Sequence, residues 1–88
     1  MPTAKTVICN ELGLHARAAA KLVDLANRYA SEITIGREDK SVNGKSIMGV
    51  LMLAAAQGSS ISVSTEGPDA DQALADLLAL IDSGFGEN

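Results

Sequence analysis

The residues of this sequence that could do chemistry are a histidine and an arginine that stand two positions apart. They lie in the run Gly13-Leu14-His15-Ala16-Arg17, just before an alanine-rich segment with helical spacing. A residue at the point where a loop becomes a helix can occupy the N-cap, where the N–H groups of the first turn have no partner within the helix. Those N–H groups and the positive end of the helix dipole together attract anions. The pattern therefore indicates a histidine that handles an anionic group.

The residues around His15 suit phosphate chemistry in particular. The planar guanidinium of Arg17 matches the oxygens of a phosphate group. The helix end and the guanidinium both disfavour the protonated imidazole, and a neutral ring nitrogen is a nucleophile. Gly13 allows an unusual backbone conformation that keeps the approach to His15 open. The spacing by itself equally fits a histidine that only caps the helix or lies on the surface, so both interpretations stay open at this point.

Hydrophobic periodicity predicts the elements that must position these residues. Alternating apolar residues predict short strands, and apolar residues three and four apart predict helices. The strands are expected over residues 6–9, 32–35, 40–42 and 61–64, and the helices over residues 16–30, from about 46 to 57 and from about 70 to 82. Asn10 to Gly13 ends the first strand. Ser46 is expected to cap the second helix, and Asp69, with Gln72 completing a capping box, the third.

The order of these elements, β-α-β-β-α-β-α, predicts an α+β open-faced sandwich. Helices on one face of the sheet would bury the single apolar side of each element. A length of 88 residues suffices for one domain, which is expected to span residues 1–88. Cys9 is interpreted as a small, half-buried residue of the first strand.

The composition argues against several classes of function. A net charge of −4 does not favour nucleic-acid binding, which needs a basic surface. The single cysteine excludes an internal disulfide and a cysteine-based zinc site. The longest apolar run, from Ile47 to Ala56, is too short to span a bilayer, and the first residues do not form a signal segment. We therefore expect a cytoplasmic protein that does not insert into a membrane.

Two short motifs make the sequence similar to one known family. The run Gly13-Leu14-His15-Ala16-Arg17-Ala18-Ala19 resembles the phosphohistidine signature of HPr, the histidine phosphocarrier of bacterial phosphotransferase systems. The run Lys45-Ser46-Ile47-Met48-Gly49-Val50 resembles the second signature of that family, around a serine phosphorylated by a regulatory kinase. The spacing between the signatures, the chain length and the order of elements also agree. The resemblance therefore covers essentially the whole chain.

The resemblance implies a phosphoryl carrier rather than a free-standing enzyme. Its fold would be a four-stranded antiparallel sheet with three helices on one face. His15 would accept a phosphoryl group from phosphorylated enzyme I and pass it to an enzyme IIA-type domain. Arg17 and the backbone of Ala16, Arg17 and Ala18 would stabilise the phosphate. Neither a cofactor nor a metal would be needed, because the protein supplies positioning and charge. We expect a monomer, since a carrier presents the same face to successive partners.

Ser46 would be a regulatory phosphosite by the same resemblance, and this role is compatible with a helix cap. A phosphate on Ser46 would add close to two negative charges to a docking face. Binding of an acidic partner would then weaken, so the serine would act as an off-switch wherever an HPr kinase/phosphorylase is present.

The helix after Ser46 is apolar nearly all round, and a small domain cannot bury every side of it. We expect Ile47, Met48 and Leu51 to form an exposed patch near His15 that partner proteins contact.

One residue departs from the family pattern, which usually has proline where this chain has Ala18. Alanine is a good helix former and restores a backbone N–H, so we expect the helix to persist. A looser His15 loop, with an altered transfer rate or partner choice, is the expected consequence.

Two other functions remain open from the sequence. The first is a regulatory phosphocarrier that serves a nitrogen- or metabolism-sensing branch instead of sugar uptake. The second is a small α+β binding module in which His15 does no chemistry.

Overall fold

The computed structural model describes residues 2–86, which form four strands, three α-helices and a short 3-10 turn. The strands are β1 (Thr3–Val7), β2 (Glu32–Arg37), β3 (Lys40–Asn43) and β4 (Ser60–Glu66). The helices are α1 (Ala16–Ala26), α2 (Ile47–Met52) and α3 (Ala70–Asp82), and the 3-10 turn is Gly84–Gly86. Every predicted element is present, in the predicted order.

The four strands form one antiparallel sheet in the order β1-β4-β2-β3. In this sheet Ile35 of β2 lies opposite Val63 of β4, and Thr3 of β1 lies opposite Ser64. Because side chains alternate between the two faces of a strand, this register places Ile33, Ile35, Ile61 and Val63 on one face and the serines of β4 on the other. The predicted α+β open-faced sandwich is confirmed.

The core lies between the apolar face of the sheet and the helices. It is built mostly from aliphatic side chains, and Phe85 is its one large aromatic member. The largest fully buried aliphatic residues are Ile8, Leu22, Ile35, Val50, Leu53, Ile61, Val63, Leu77 and Ile81. None of the helices within residues 2–86 is long and apolar enough to cross a membrane.

The first strand differs from the prediction in its position. Strand β1 ends at Val7, and the next residue, Ile8, turns its side chain fully into the core. Cys9 then follows the strand and is exposed, so its assignment as a half-buried strand residue was wrong. The Ile8 N–H still donates to Ser59 O (2.9 Å), which carries the β1–β4 register one residue beyond the pair of Val7 and Ser60, and Ile8 O accepts from Gly58 N (2.8 Å).

Helix α1 is shorter than predicted, because N–H groups that follow it donate to a carboxylate from another part of the chain. The helix ends at Ala26, whereas apolar spacing predicted helix to Ala30. The N–H groups of Ala30 and Ser31 both donate to the carboxylate of Asp69, each at 2.9 Å. These bonds replace the helical bonds that a longer α1 would need, and they place Ala30 in the connection to β2.

Asp69 therefore has a different role from the predicted one. It stands at the N-cap of α3, but its side chain makes no capping hydrogen bond. The carboxylate also accepts from the Ser31 hydroxyl, which in turn accepts the N–H of Asp69 at 3.2 Å. Gln72 donates to Asp76 (2.9 Å) instead of completing a capping box. The hydroxyl of Ser31, followed by the Ala30 N–H, lowers the pKa of Asp69 below its ordinary value of 3.8.

This arrangement makes part of the stability depend on pH. The stabilisation from ionised Asp69 is fully present above pH 3.8, the ordinary pKa, and is lost as the pH falls through the lower pKa of the folded state. Asp69→Asn should therefore lower the thermal unfolding midpoint by a few degrees at neutral pH. It should also reduce the loss of stability in acid. Thermal unfolding followed by circular dichroism, at neutral pH and below pH 3.8, measures both effects.

Asp71→Asn is the matched control, because Asp71 is exposed in the first turn of the same helix. Equal effects of the two substitutions would contradict the assignment of this stability to Asp69.

Candidate functional site

His15 caps the helix that follows it. Its backbone is extended (φ −83°, ψ −177°), and its ring nitrogen Nδ1 accepts the N–H of Arg17 at 3.3 Å. The first bond of the helical ladder runs from Ala19 N to His15 O at 2.8 Å. The imidazole is half-buried, so one ring nitrogen is directed to the helix end while the ring stays accessible. The predicted place of His15 at the junction of loop and helix is confirmed.

The backbone N–H groups of the first turn form the polar wall of this site. The amides of Ala16, Arg17 and Ala18 precede Ala19, whose N–H begins the ladder, so they have no acceptor within the helix. The Arg17 amide is the one that holds Nδ1. An anionic group next to Nδ1 would therefore meet N–H donors and the positive end of the α1 dipole.

Arg17 adds a mobile positive charge at the same helix end. It is exposed at the second position of α1, and its guanidinium makes no hydrogen bond or ion pair with any residue in the described range 2–86. By contrast, Arg28 pairs with Asp24 and Arg37 donates to Leu53 O. The donors of Arg17 are consequently available to an incoming anion.

Gly13 places the loop before His15 unusually close to another segment. Its φ is +69°, and a Cβ added there would lie 2.7 Å from Ala55 O and 2.9 Å from Ala56 Cα. The next residue, Leu14, donates its N–H to Ala55 O at 2.8 Å and buries its side chain. Because Leu14 faces the core, the backbone directs His15 outward.

The segment that this loop contacts, Ala55 and Ala56, is not helical because α2 ends earlier than predicted. Apolar spacing predicted helix until Gly58, but α2 ends at Met52. The carbonyl of Leu53 accepts from Arg37 Nη1 at 3.2 Å, and Ala54 adopts a left-handed conformation with φ +50°. This turn presents Ala55 O to the loop that carries His15.

Sequence reasoning missed Asn10 as a residue of the site. Asn10 was taken only as the end of the first strand, yet its side chain is fully buried. Its Nδ2 donates to Gly13 O at 2.8 Å, and Gly13 N donates to Asn10 O at 3.1 Å. An asparagine three residues before a glycine is typical of a local turn, but only the structure places the amide inside the protein.

Ser46 caps α2, as predicted. Its hydroxyl accepts the N–H of Gly49 at 3.2 Å, and the residue is half-buried. The neighbouring Lys45 is directed to the end of α1, where its Nζ donates to Tyr29 O at 2.7 Å. The hydroxyl of Ser46 thus lies at a helix start, while the nearest lysine is engaged elsewhere.

The exposed apolar residues differ in part from the predicted patch. Ile47 and Met48 are 41% and 66% exposed, but Leu51 is half-buried and packs against the core. Met52, at 70%, lies one helical turn after Met48 on the outer face, and Leu12 of the His15 loop is 69% exposed. We call these four residues, Leu12, Ile47, Met48 and Met52, the apolar patch. The prediction for Leu51 was wrong because the period of the helix turns it inward.

No group of three or more histidine, cysteine, aspartate or glutamate side chains that could hold a metal ion occurs among residues 2–86.

Comparison with known proteins gives one consistent relationship. Residues 2–83 match the family model described as PTS HPr component phosphorylation site. The phosphocarrier protein HPr of Cupriavidus necator is 52% identical over 82 residues, which are 93% of this chain and 92% of that protein. The solved structure of HPr-C-His from Thermoanaerobacter tengcongensis is similar with a TM-score of 0.96 and 42% identity, and the match covers 100% of this chain and 99% of that chain.

Two further matches are relevant to pathway branch and oligomeric state. The phosphocarrier protein NPr of Shewanella violacea is 46% identical over 83 residues, which are 94% of this chain and 91% of that protein. A structure described as an HPr dimer from Thermoanaerobacter tengcongensis has a TM-score of 0.79 and 42% identity, and the match covers 99% of this chain and 100% of that chain.

The close approach at Gly13 can be tested by adding one methyl group. Gly13→Ala must combine a left-handed backbone with a Cβ 2.7 Å from the Ala55 carbonyl. Its control, Gly58→Ala, has a φ of +90° but no atom within 4 Å of the new Cβ, so it carries the backbone strain alone. We expect a loss of about 1 kcal/mol for Gly58→Ala and of about 2–4 kcal/mol for Gly13→Ala. Urea unfolding at equilibrium measures both, and equal losses would show that the approach is not a constraint.

Proposed function

Because this chain belongs to the HPr family of phosphocarrier proteins of the phosphotransferase system, we propose that it carries the phosphoryl group on Nδ1 of His15. The observation that carries this proposal is the hydrogen bond between Nδ1 and the Arg17 N–H at 3.3 Å. The bond marks Nδ1 as the ring nitrogen with a lone pair, and it places that lone pair beside the N–H groups of a helix start. The nucleophilic nitrogen and the N–H groups that would bind the phosphoryl oxygens therefore lie side by side.

The transfer step follows from this geometry. Neutral His15 holds its proton on Nε2, and Nδ1 attacks the phosphorus of the donor's phosphoryl group. A nitrogen–phosphorus bond forms while the bond from phosphorus to the donor breaks, and its electron pair leaves with the donor. The Arg17 N–H, no longer held by the Nδ1 lone pair, becomes available to a phosphoryl oxygen. Transfer to the acceptor repeats these steps with phospho-His15 as the donor.

The stabilisation of the phosphoryl group is assigned to backbone and charge. The amides of Ala16, Arg17 and Ala18 donate to its oxygens, and the Arg17 guanidinium moves over it from solvent. Positioning and electrostatics are sufficient for phosphoryl transfer between such groups, so no cofactor or metal is assigned to the step. The chain is then a carrier that is consumed and regenerated by enzymes, rather than an enzyme with its own substrate.

We assign phosphorylated enzyme I as the donor and an enzyme IIA-type domain as the acceptor. The apolar patch is the docking surface for both, because Leu12 belongs to the His15 loop and Leu14 N binds Ala55 O just after Met52. A single docking face used in succession favours a monomer, in which this face stays exposed. We assign the carrier to the cytoplasm. The match to an NPr supports a second candidate, a regulatory branch with a different acceptor.

Ser46 is assigned as a regulatory phosphosite for an HPr kinase/phosphorylase. A phosphate on its hydroxyl would lie at the start of α2, next to Ile47 and Met48 of the apolar patch. Its negative charge would repel an acidic partner from the docking surface. The Lys45 ammonium, held at Tyr29 O, would not neutralise it without breaking that bond.

The phosphoryl site is tested by incubation with phosphoenolpyruvate and purified enzyme I, followed by intact mass measurement. The wild type should gain one acid-labile phosphate, and His15→Ala should gain none. Arg17→Gln should slow the transfer by about tenfold to a hundredfold, and Arg17→Lys by less, since it keeps the charge but loses the fork. Arg28→Gln is the control, because Arg28 is exposed just after α1, where it pairs with Asp24 at 3.0 Å.

Phosphate on the His15→Ala variant would refute the assignment of the site. A wild type that gains none, with enzyme I active on another carrier, would favour the binding-module alternative.

The docking surface is tested by placing a charge on the apolar patch. Met48→Glu should raise the KM of enzyme I for this carrier by about tenfold and leave kcat nearly unchanged, because it acts on association and not on the transfer step. Val7→Glu is the matched control, since Val7 is 49% exposed on β1, outside the patch. Steady-state transfer assays measure both, and an equal rise in KM for the two variants would contradict the assignment.

A further inference from the structure

We propose that Asn10 is a positioning residue for His15: its buried side-chain amide sets the orientation of the imidazole by holding the carbonyl of Gly13. The inference rests on the proposed function of His15 as phosphoryl acceptor and deepens it. It concerns a side chain that never touches the phosphoryl group.

Two hydrogen bonds join Asn10 to the backbone that carries the imidazole. Its Nδ2 donates to Gly13 O at 2.8 Å, and the same oxygen accepts the N–H of His15 at 2.9 Å. Gly13 N donates back to Asn10 O at 3.1 Å. The Gly13 carbonyl therefore joins Asn10 to the backbone of His15, and its direction fixes the tight turn around Leu14.

The direction of this carbonyl controls the position of Nδ1. A rotation of the peptide plane between Gly13 and Leu14 changes the backbone angles on both sides of it. The extended conformation of His15, with ψ −177°, then no longer brings Nδ1 to 3.3 Å from Arg17 N. Because Gly13 has φ +69° and no side chain, the residue itself offers little resistance to such a rotation. The amide of Asn10 resists the rotation at the carbonyl of this peptide plane, and the bond from Leu14 N to Ala55 O resists it at the N–H.

Burial makes this hydrogen bond difficult to replace. Asn10 is fully buried, so water cannot simply take the place of its Nδ2 when the side chain is shortened. Without Nδ2 of Asn10, the Gly13 carbonyl loses one hydrogen bond. We expect the loop to shift until this carbonyl accepts a hydrogen bond from another donor. A displacement of about 1 Å of a reacting group can lower a transfer rate by about a hundredfold.

The other buried polar side chains serve different parts of the fold. Ser31 joins the end of the α1 connection to Asp69 at the start of α3, and Thr65 donates to Ala70 O at 2.8 Å at the same end of the molecule. Asn10 differs from both, because its partner lies two residues before His15. Thr65 therefore provides a control for the loss of a buried hydrogen bond that does not act on the site.

The test compares Asn10→Ala and Asn10→Leu with Thr65→Val. Asn10→Leu keeps most of the side-chain volume and removes the donor without adding a charge, so it separates loss of the bond from loss of volume. Three quantities are measured: the free energy of unfolding in urea, kcat and KM for transfer from phosphorylated enzyme I, and the nitrogen NMR signals of the His15 ring and the Arg17 amide.

We expect both Asn10 variants to lower kcat by about tenfold to a hundredfold with little change in KM, and to shift the Arg17 amide and Nδ1 signals. Thr65→Val should lose stability but keep the kcat and the NMR signals of the wild type. An unchanged kcat and Nδ1 signal in folded Asn10→Leu, or an equal loss of kcat in Thr65→Val, would overturn the proposal.

A failure of the proposed function gives a different result. If the wild type gains no phosphate, the kinetic comparison has no baseline, but the His15 and Arg17 signals still report whether Asn10 orients the ring. In that case the missing phosphate on the wild type refutes the carrier function, while variants that shift those signals still support positioning by Asn10.

Discussion

The contact of the His15 loop with the end of α2 is the constraint on which the site depends. Gly13 approaches Ala55 and Ala56 so closely that no side chain fits between them, and the Leu14 N–H binds Ala55 O at 2.8 Å. With Leu14 buried on one side of this contact, the chain must enter α1 with His15 on the other. The position of the proposed anion site is therefore a consequence of packing between two backbones, and His15 stands at a place that the core defines.

Features that depend on a few neighbouring residues could be predicted from the sequence. The cap at His15 follows from the change of period directly after it, which is a local signal. The ends of α1 and α2 could not be predicted, because distant groups decide them. Asp69 takes the N–H groups after α1, and Arg37 takes the carbonyl of Leu53 after α2. Neither partner leaves a signal in the segment whose end it determines.

The same distinction applies to the candidate site. The short motif around His15 identified the residues proposed to meet the phosphoryl group, because they are consecutive in the chain. Asn10 was missed because an asparagine shortly before a glycine predicts an exposed turn. The burial of the Asn10 side chain depends on the whole fold. Met52 was missed because an apolar residue in an apolar helix is expected to be buried. Only the packing of α2 shows that Leu51 faces inward and Met52 outward.

Ala18 illustrates how the loop and the helix share the task of holding the site. Its N–H precedes the first ladder bond, from Ala19 to His15, so a proline at this position would lose no helical hydrogen bond. The side chain of Ala18 is fully buried, so a residue at this position, whether alanine or proline, must be small and apolar. The two choices differ in what they give to the site: proline fixes a backbone angle, whereas alanine keeps one more N–H donor at the proposed phosphoryl site. A chain with alanine needs its rigidity from elsewhere, and the contacts of Gly13 with Asn10 and Ala55 supply it immediately before the helix.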